Sequence, residues 1–217
     1  NIIRDNFASH GGGIYASTPG MSSMTLTAIN NFILGNQALI NGGGILVGTS
    51  GPMCSASVNL TNNTITTNAT DYGGGLFVMS SSGSTTVTAR NNILWGNEAA
   101  TYGADLYLTG SATMVNMDYS DIGVVENDGE NPGSYTETNS ISVDPIFVNP
   151  ALGNYHIHTD SPCRDAGTPV ELVASVVGNG LPDDDFEGDD RSQGSAYDIG
   201  ADEYVETTVA KIKLLSC

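Results

Sequence analysis

Alternation of apolar and polar positions marks four segments of the chain, "MTLTAIN", "ASVNLTN", "TTVTARN" and "TMVNMDYS". Leu26 and Ala28, Val58 and Leu60, and Val87 and Ala89 fall at equivalent places in the first three. A period of two predicts strands with one face turned inward. Before each lies a shorter apolar run, "IYAS", "ILVG", "LFVM" or "LYLT", separated from it by a turn rich in Gly, Pro and Ser. No segment carries a helical stripe.

The strands belong to a repeat. "NIIRDNFASHGGGI", "NFILGNQALINGGGI", "NNTITTNATDYGGGL" and "NILWGNEAATYGADL" share an Asn, a large aliphatic two residues on, a second Asn five residues after the first, and then glycine. The first asparagines are Asn1, Asn31, Asn63 and Asn92, the second Asn6, Asn36, Asn68 and Asn97, and the glycine runs start at Gly11, Gly42, Gly73 and Gly103. A period of about 30 residues is the mark of a solenoid. One copy cannot bury its apolar side alone, whereas stacked copies can. The expected fold is therefore an all-β, right-handed parallel β-helix of about five coils, with three strands per coil. Glycine suits corners that need positive φ or close approach to the next coil, and stacked asparagines can hydrogen-bond along the axis. The decay to "GAD" at Gly103, Ala104 and Asp105 reads as an atypical last repeat.

Charge divides the chain. The net charge is −18, yet residues 1 to 117 hold four acids (Asp5, Asp71, Glu98, Asp105) against Arg4 and Arg90. The remaining acids lie beyond residue 117. With no basic patch, the phosphate-neutralising contribution that drives nucleic-acid binding is missing, and anionic membranes are disfavoured for the same reason. The expected organisation is a β-helix over 1–122, a polar loop over 123–140, a last coil with an acidic capping module over 141–204, and a tail over 205–217. The sequence carries no signal peptide or transmembrane segment. Because it begins inside a repeat, it reads as a processed product or a piece of something longer.

The second half adds "DPIFVNP" (Asp144 to Pro150), "SPCRDAG" (Ser161 to Gly167) and "DIGADEY" (Asp198 to Tyr204) to "NNILWGN" (Asn91 to Asn97) and "YSDIG" (Tyr119 to Gly123). As an ordered set these resemble bacterial choice-of-anchor Q domain proteins, whose β-helices are similar to those of pectate lyases and chlamydial polymorphic outer-membrane proteins. The resemblance implies an extracellular or cell-surface bacterial protein. It stops before "VETTVAKIKLLSC", which carries no recognisable anchor.

Candidate chemistry is sparse. A lyase-like mechanism would need a cation and a basic side chain, for which the helix offers only Arg4 and Arg90. A hydrolase would need two carboxylates facing one groove, for which Asp105 with Asp118 or Asp121 is the candidate set. His156 and His158, two apart, permit a metal pair, although a polar strand face is the simpler reading. His10 reads as a loop residue. In "DDDFEGDD", Asp183, Asp185 and Glu187 have the spacing of the first EF-hand ligands, with Gly188 at the turn, but Gly194 stands where the bidentate Glu belongs. An EF-hand is thereby excluded; a solvated acidic loop is the plainer reading, and a looser calcium site that adds Asp189 or Asp190 the sharper alternative. Cys54, Cys163 and Cys217 show no metal spacing. The sequons at Asn59, Asn62 and Asn68 fall in repeat corners and are read as coincidental.

The leading expectation is a non-enzymatic structural or adhesive surface protein that self-associates end to end. Its tail strand (Val205, Thr207, Val209) would add to a neighbour's open edge, with Cys217 as an intermolecular link. The alternative is a polysaccharide-binding or polysaccharide-active β-helix.

Overall fold

The computed structural model describes residues 1–169, 181–191 and 193–206. They form a right-handed parallel β-helix built on four sheets rather than three. Sheet I stacks Ile2–Arg4, Phe32–Leu34, Thr64–Thr66, Ile93–Trp95 and Asp121–Ile122. Sheet II stacks Phe7–His10, Gln37–Asn41, Ala69–Tyr72 and Glu98–Tyr102. Sheet III holds Ile14–Thr18, Ile45–Thr49, Leu76–Ser80, Leu106–Thr109 and Val125–Asn127, and sheet IV holds Ser23–Ile29, Ser55–Thr61, Ser84–Arg90, Thr113–Asp118 and Ser134–Thr138. The chain thus completes four coils and adds a fifth that lacks a sheet II strand. No helix among the described residues is long and apolar enough to cross a membrane.

Sheet II is the departure from the expected three strands. Its members are mostly exposed or half-buried and carry little apolar alternation. Backbone pairing with the coils above and below, not side-chain burial, makes them strands, so periodicity could not reveal them.

Register follows the repeat. Leu26, Val58, Val87 and Val115 stand in line, as do Ala28, Leu60, Ala89 and Met117. These columns meet Ile33, Ile65, Leu94 and Ile122 of sheet I and Ile45, Leu76 and Leu106 of sheet III in one core. Each fully buried aliphatic side chain contributes about 1.5–3 kcal/mol relative to exposure.

Two kinds of asparagine share the corner between sheets IV and I. Asn30, Asn62 and Asn91 take the left-handed conformation, at φ of 53°, 51° and 54°. The next residues, Asn31, Asn63 and Asn92, keep negative φ and build the ladder: the side-chain amide of Asn31 donates to Asn63 at 2.9 Å and that of Asn63 to Asn92 at 3.0 Å. A parallel ladder runs through Asn6, Asn36, Asn68 and Asn97, each link 2.9 Å. Every buried amide in these columns also meets a backbone carbonyl, such as Ile33 for Asn68. Buried polar groups are tolerable only when so satisfied.

The glycine run fills the corner between sheets II and III. Gly73 sits at φ +67°, with the Cβ of Phe77 2.8 Å from where its own Cβ would be. At Gly74 a Cβ would lie 2.4 Å from the carbonyl oxygen of Ala104 in the next coil. Neither site admits a larger residue without moving backbone.

Ile141 adds one parallel bridge to Asp121, and the chain then leaves the axis. The segment expected to cover the last coil runs instead back along the flank of sheet I. Thr168 donates to Asn91, Asn62 donates to the carbonyl of Gly200, and Asn30 donates to the carbonyl of Asp184. The three left-handed asparagines thus present their side chains outward, one per coil, as docking points. The outer face of sheet I supplies the apolar reason: Phe32, Leu34 and Ile93 are covered by Phe186, Ala201, Ile157, Cys163 and Ile199. Left bare, that face would expose Phe32, Leu34 and Ile93 on either side of the polar coil of Thr64 and Thr66.

Candidate functional site

A concave surface lies beside the glycine corner, where two side-chain ladders on the outer sides of sheets II and III converge. On sheet III, Tyr15, Leu46, Phe77, Tyr107 and Glu126 stand in register, one per coil. At the end of sheet II, His10, Asn41, Tyr72 and Tyr102 do the same. Glycine between them removes the side chains that would fill the groove. Tyr102 and Tyr107 stack with centroids 6.3 Å apart at 12°, Phe77 stacks on Tyr107 at 5.5 Å, and Tyr72 tilts against both tyrosines.

The loop after sheet III of the last coil closes one end. It brings Asp128 and Glu130 beside Glu126 of the strand, against the tyrosines, around a cleft of about 570 Å³. Glu126 accepts from the amide of Gly103 at 3.1 Å, and Asp128 accepts from the hydroxyl of Thr109 at 2.7 Å and the amide of Glu130 at 3.0 Å. These bonds, the Thr109 hydroxyl first, hold the Asp128 carboxyl below its ordinary range. Burial, then the neighbouring Asp128, raises the phenol of Tyr107. At neutral pH the cleft therefore pairs neutral aromatic faces with anionic hydrogen-bond acceptors. Sequence reasoning missed this site, although one signal was present: Tyr72 and Tyr102 occupy the same repeat position, immediately before glycine.

The residues proposed for catalysis do not share a groove. Asp105 and Asp121 are both buried and accept backbone amides, from Asn97 and Val124 and from Val143 respectively. Asp118 pairs with Arg90 at 3.3 Å, and Arg4 pairs with its neighbour Asp5. His10 ends a strand rather than lying in a loop, with its ring 6.4 Å from that of Tyr15. Of the sequons, Asn62 and Asn68 are fully buried, as the repeat reading implied, whereas Asn59 faces outward on sheet IV.

The acidic run folds around one of its own members. Asp185 is buried, and its Oδ1 accepts the amides of Glu187, Gly188 and Asp189 while Oδ2 accepts that of Glu203. Asp183 and Asp189 contribute carbonyls to the same turn, accepting from Arg191 and Asp185. Arg191, fully buried, lies behind the loop: its guanidinium donates to Asn30 and to the carbonyls of Asp184, Gly200 and Ala201, and stands 3.5 Å from Glu203. Burial, then Asp198, pushes the Glu203 carboxyl up to about 8 despite that contact. An internal cation thus balances part of the acidity that suggested an external one. Glu187 alone of the four predicted ligands turns toward a histidine, His156, while His158 faces Asp160 instead. Cys54 and Cys163 are buried free thiols, and Cys217 with the alternating tail lies outside the described residues.

No curated protein and no solved structure shows significant similarity to this chain. A family model described as the right handed beta helix region matches residues 1–118. That span covers all four coils of the repeat and more than half the chain, and the chain belongs to the right-handed β-helix family.

Proposed function

We propose that this chain is a non-enzymatic, extracellular adhesive β-helix that binds a neutral or amine-bearing polysaccharide in the tyrosine cleft. The observation that carries the reading is the meeting of Tyr72, Tyr102 and Tyr107 with Glu126 and Asp128 around one groove. Aromatic faces pack against the C–H faces of pyranose rings, and carboxylates accept sugar hydroxyls in the fixed directions that confer orientation. The ladders repeat coil by coil, which suits an extended polymer better than a single small molecule. Uronate or phosphate polymers would be repelled, since the cleft is anionic within a chain of net charge −18.

Binding without turnover fits the state of the carboxylates. A general acid must hold a proton near neutral pH, and Asp128 is shifted the opposite way. The resemblance of the C-terminal motifs to choice-of-anchor Q proteins supports a cell-surface setting for such binding.

The test is a glycan array followed by calorimetry on the best neutral polymer. Tyr102→Ala, which removes the most exposed platform ring, should weaken binding at least tenfold while leaving the melting temperature nearly unchanged. Undiminished binding in that variant, or a preference for polyuronates, would sink the reading. Release of reducing ends from the bound polymer would instead make the site catalytic.

A further inference from the structure

Away from the cleft, three parts of the flanking segment converge on one point. His156 lies on the strand Asn154–Ile157, Glu187 in the acidic loop, and Asp202 in the last described turn. The Nδ1 of His156 is 2.7 Å from an oxygen of Asp202 and 3.8 Å from one of Glu187, and the three atoms lie within 4.8 Å of one another. Asp202 is buried and fixed by its other oxygen, which accepts the amide of Ile157 at 2.9 Å. Glu187 is half exposed and free to adjust. The imidazole is held from its other side by aromatic edges, with Phe186 at 5.6 Å and Phe32 at 6.5 Å. A small cavity of about 90 Å³ opens beside it.

We propose that His156, Glu187 and Asp202 form a site for a divalent cation of the zinc type, which ties three stretches of the flanking segment together. Ligand atoms around tetrahedral Zn²⁺, each at about 2.0–2.1 Å, are themselves about 3.3 Å apart. The observed 2.7 and 3.8 Å bracket that spacing: an ion would replace the His156–Asp202 hydrogen bond, the imidazole drawing back from Asp202 while the exposed Glu187 swings closer. One imidazole nitrogen with two carboxylates suits zinc, with a fourth position left to water. Calcium asks for six to eight oxygens, which this cluster does not bring together. The buried, amide-bound Asp202 supplies the pre-organised charge.

The experiment titrates the purified chain with Zn²⁺, by calorimetry and by competition with a chromogenic chelator. Substitution with Co²⁺ then reports tetrahedral nitrogen and oxygen coordination through its visible absorption. One equivalent should bind and raise the melting temperature. His156→Ala should abolish that binding and Glu187→Gln should weaken it at least tenfold, while His158→Ala leaves it unchanged. Glu187 is half exposed, so its variant stays folded, and circular dichroism confirms that. The proposal fails if the wild-type chain takes up no zinc, if Glu187→Gln binds as tightly as wild type, or if calcium raises the melting temperature equally with and without His156.

Discussion

Asn97 donates both its backbone amide and its side-chain amide to a single oxygen of Asp105, at 3.0 and 2.9 Å. In the coil below, Asn68 makes the same two bonds to Asn97, at 3.0 and 2.9 Å. The carboxylate of Asp105 therefore stands where the asparagine of a next coil would stand, and its other oxygen accepts the amide of Val124 at 2.7 Å. What looked like decay of the glycine run is the terminus of the ladder. Burial raises the Asp105 carboxyl, with the Asn97 amides partly opposing it.

Asp105→Ala should accordingly leave three N–H groups without a partner, two of them buried on Asn97 and one part-buried at Val124, at about 1–3 kcal/mol for each buried one. A total loss of roughly 3–6 kcal/mol is expected by urea titration monitored by circular dichroism. Asp105→Asn, which keeps the shared acceptor, should lose less than half as much. Equal losses in the two variants would refute the ladder-terminus role.

Gly74→Ala and Gly129→Ala make a matched pair. The first would set a Cβ 2.4 Å from the backbone oxygen of Ala104, while the second meets nothing within 4 Å. Thermal melts should show Gly74→Ala destabilised by about 2 kcal/mol or more and Gly129→Ala within about 0.5 kcal/mol of wild type. A neutral Gly74→Ala would mean that the coils are less closely stacked at this corner.

Arg191→Met should cost about 3–5 kcal/mol, because Asn30 and the carbonyls of Asp184, Gly200 and Ala201 would lose the guanidinium that donates to them. The loss should fall on the flanking segment. Hydrogen exchange would therefore rise around Asp198 to Tyr204 before it rises in the sheet I strands. Uniform protection loss across all coils would argue that Arg191 supports the whole solenoid instead.

The stability of the fold should increase on mild acidification. Burial pushes Asp121 and Asp198 up to about 6 and Glu203 up to about 8. A proton held more tightly by the folded than the unfolded chain stabilises the fold. That contribution is complete below ordinary carboxylate values and is lost as the pH rises through 6 and then 8. Asp128 works in the opposite sense, losing its contribution as the pH falls through its lowered value. The melting temperature should be higher at pH 5 than at pH 8.5, and Asp121→Asn should narrow the difference. A flat or inverted profile would show that these carboxyls are more hydrated than their burial implies.

Much of the solenoid was legible because its cause is local and repeated. The columns through Val58 and Leu60 were readable as period two, and the asparagine and glycine positions as period 30. Sheet II was not legible, since Gln37–Asn41 and its neighbours are strands by pairing alone. Nor was the tyrosine cleft. Tyr72 and Tyr107 lie 35 residues apart and meet only because a left-handed glycine folds sheet II against sheet III. The fold of the acidic run was not legible for a related reason: its spacing did not show that Asp185 turns inward to cap its own loop.

The repeat in the sequence by itself determined the coil, its register and its core, because in a solenoid each residue's neighbours are its own counterparts one period away. The tertiary structure alone decided where the described residues beyond the last coil lie. The described residues from 141 to 169, from 181 to 191 and from 193 to 204 have no repeat to pair with, and their place was set by the apolar outer face of Phe32, Leu34 and Ile93 and by the side chains of Asn30, Asn62 and Asn91. Those asparagines serve the corner through their backbone, which the sequence could announce. They serve the docked segment through their side chains, and that depended on contacts up to 154 residues away.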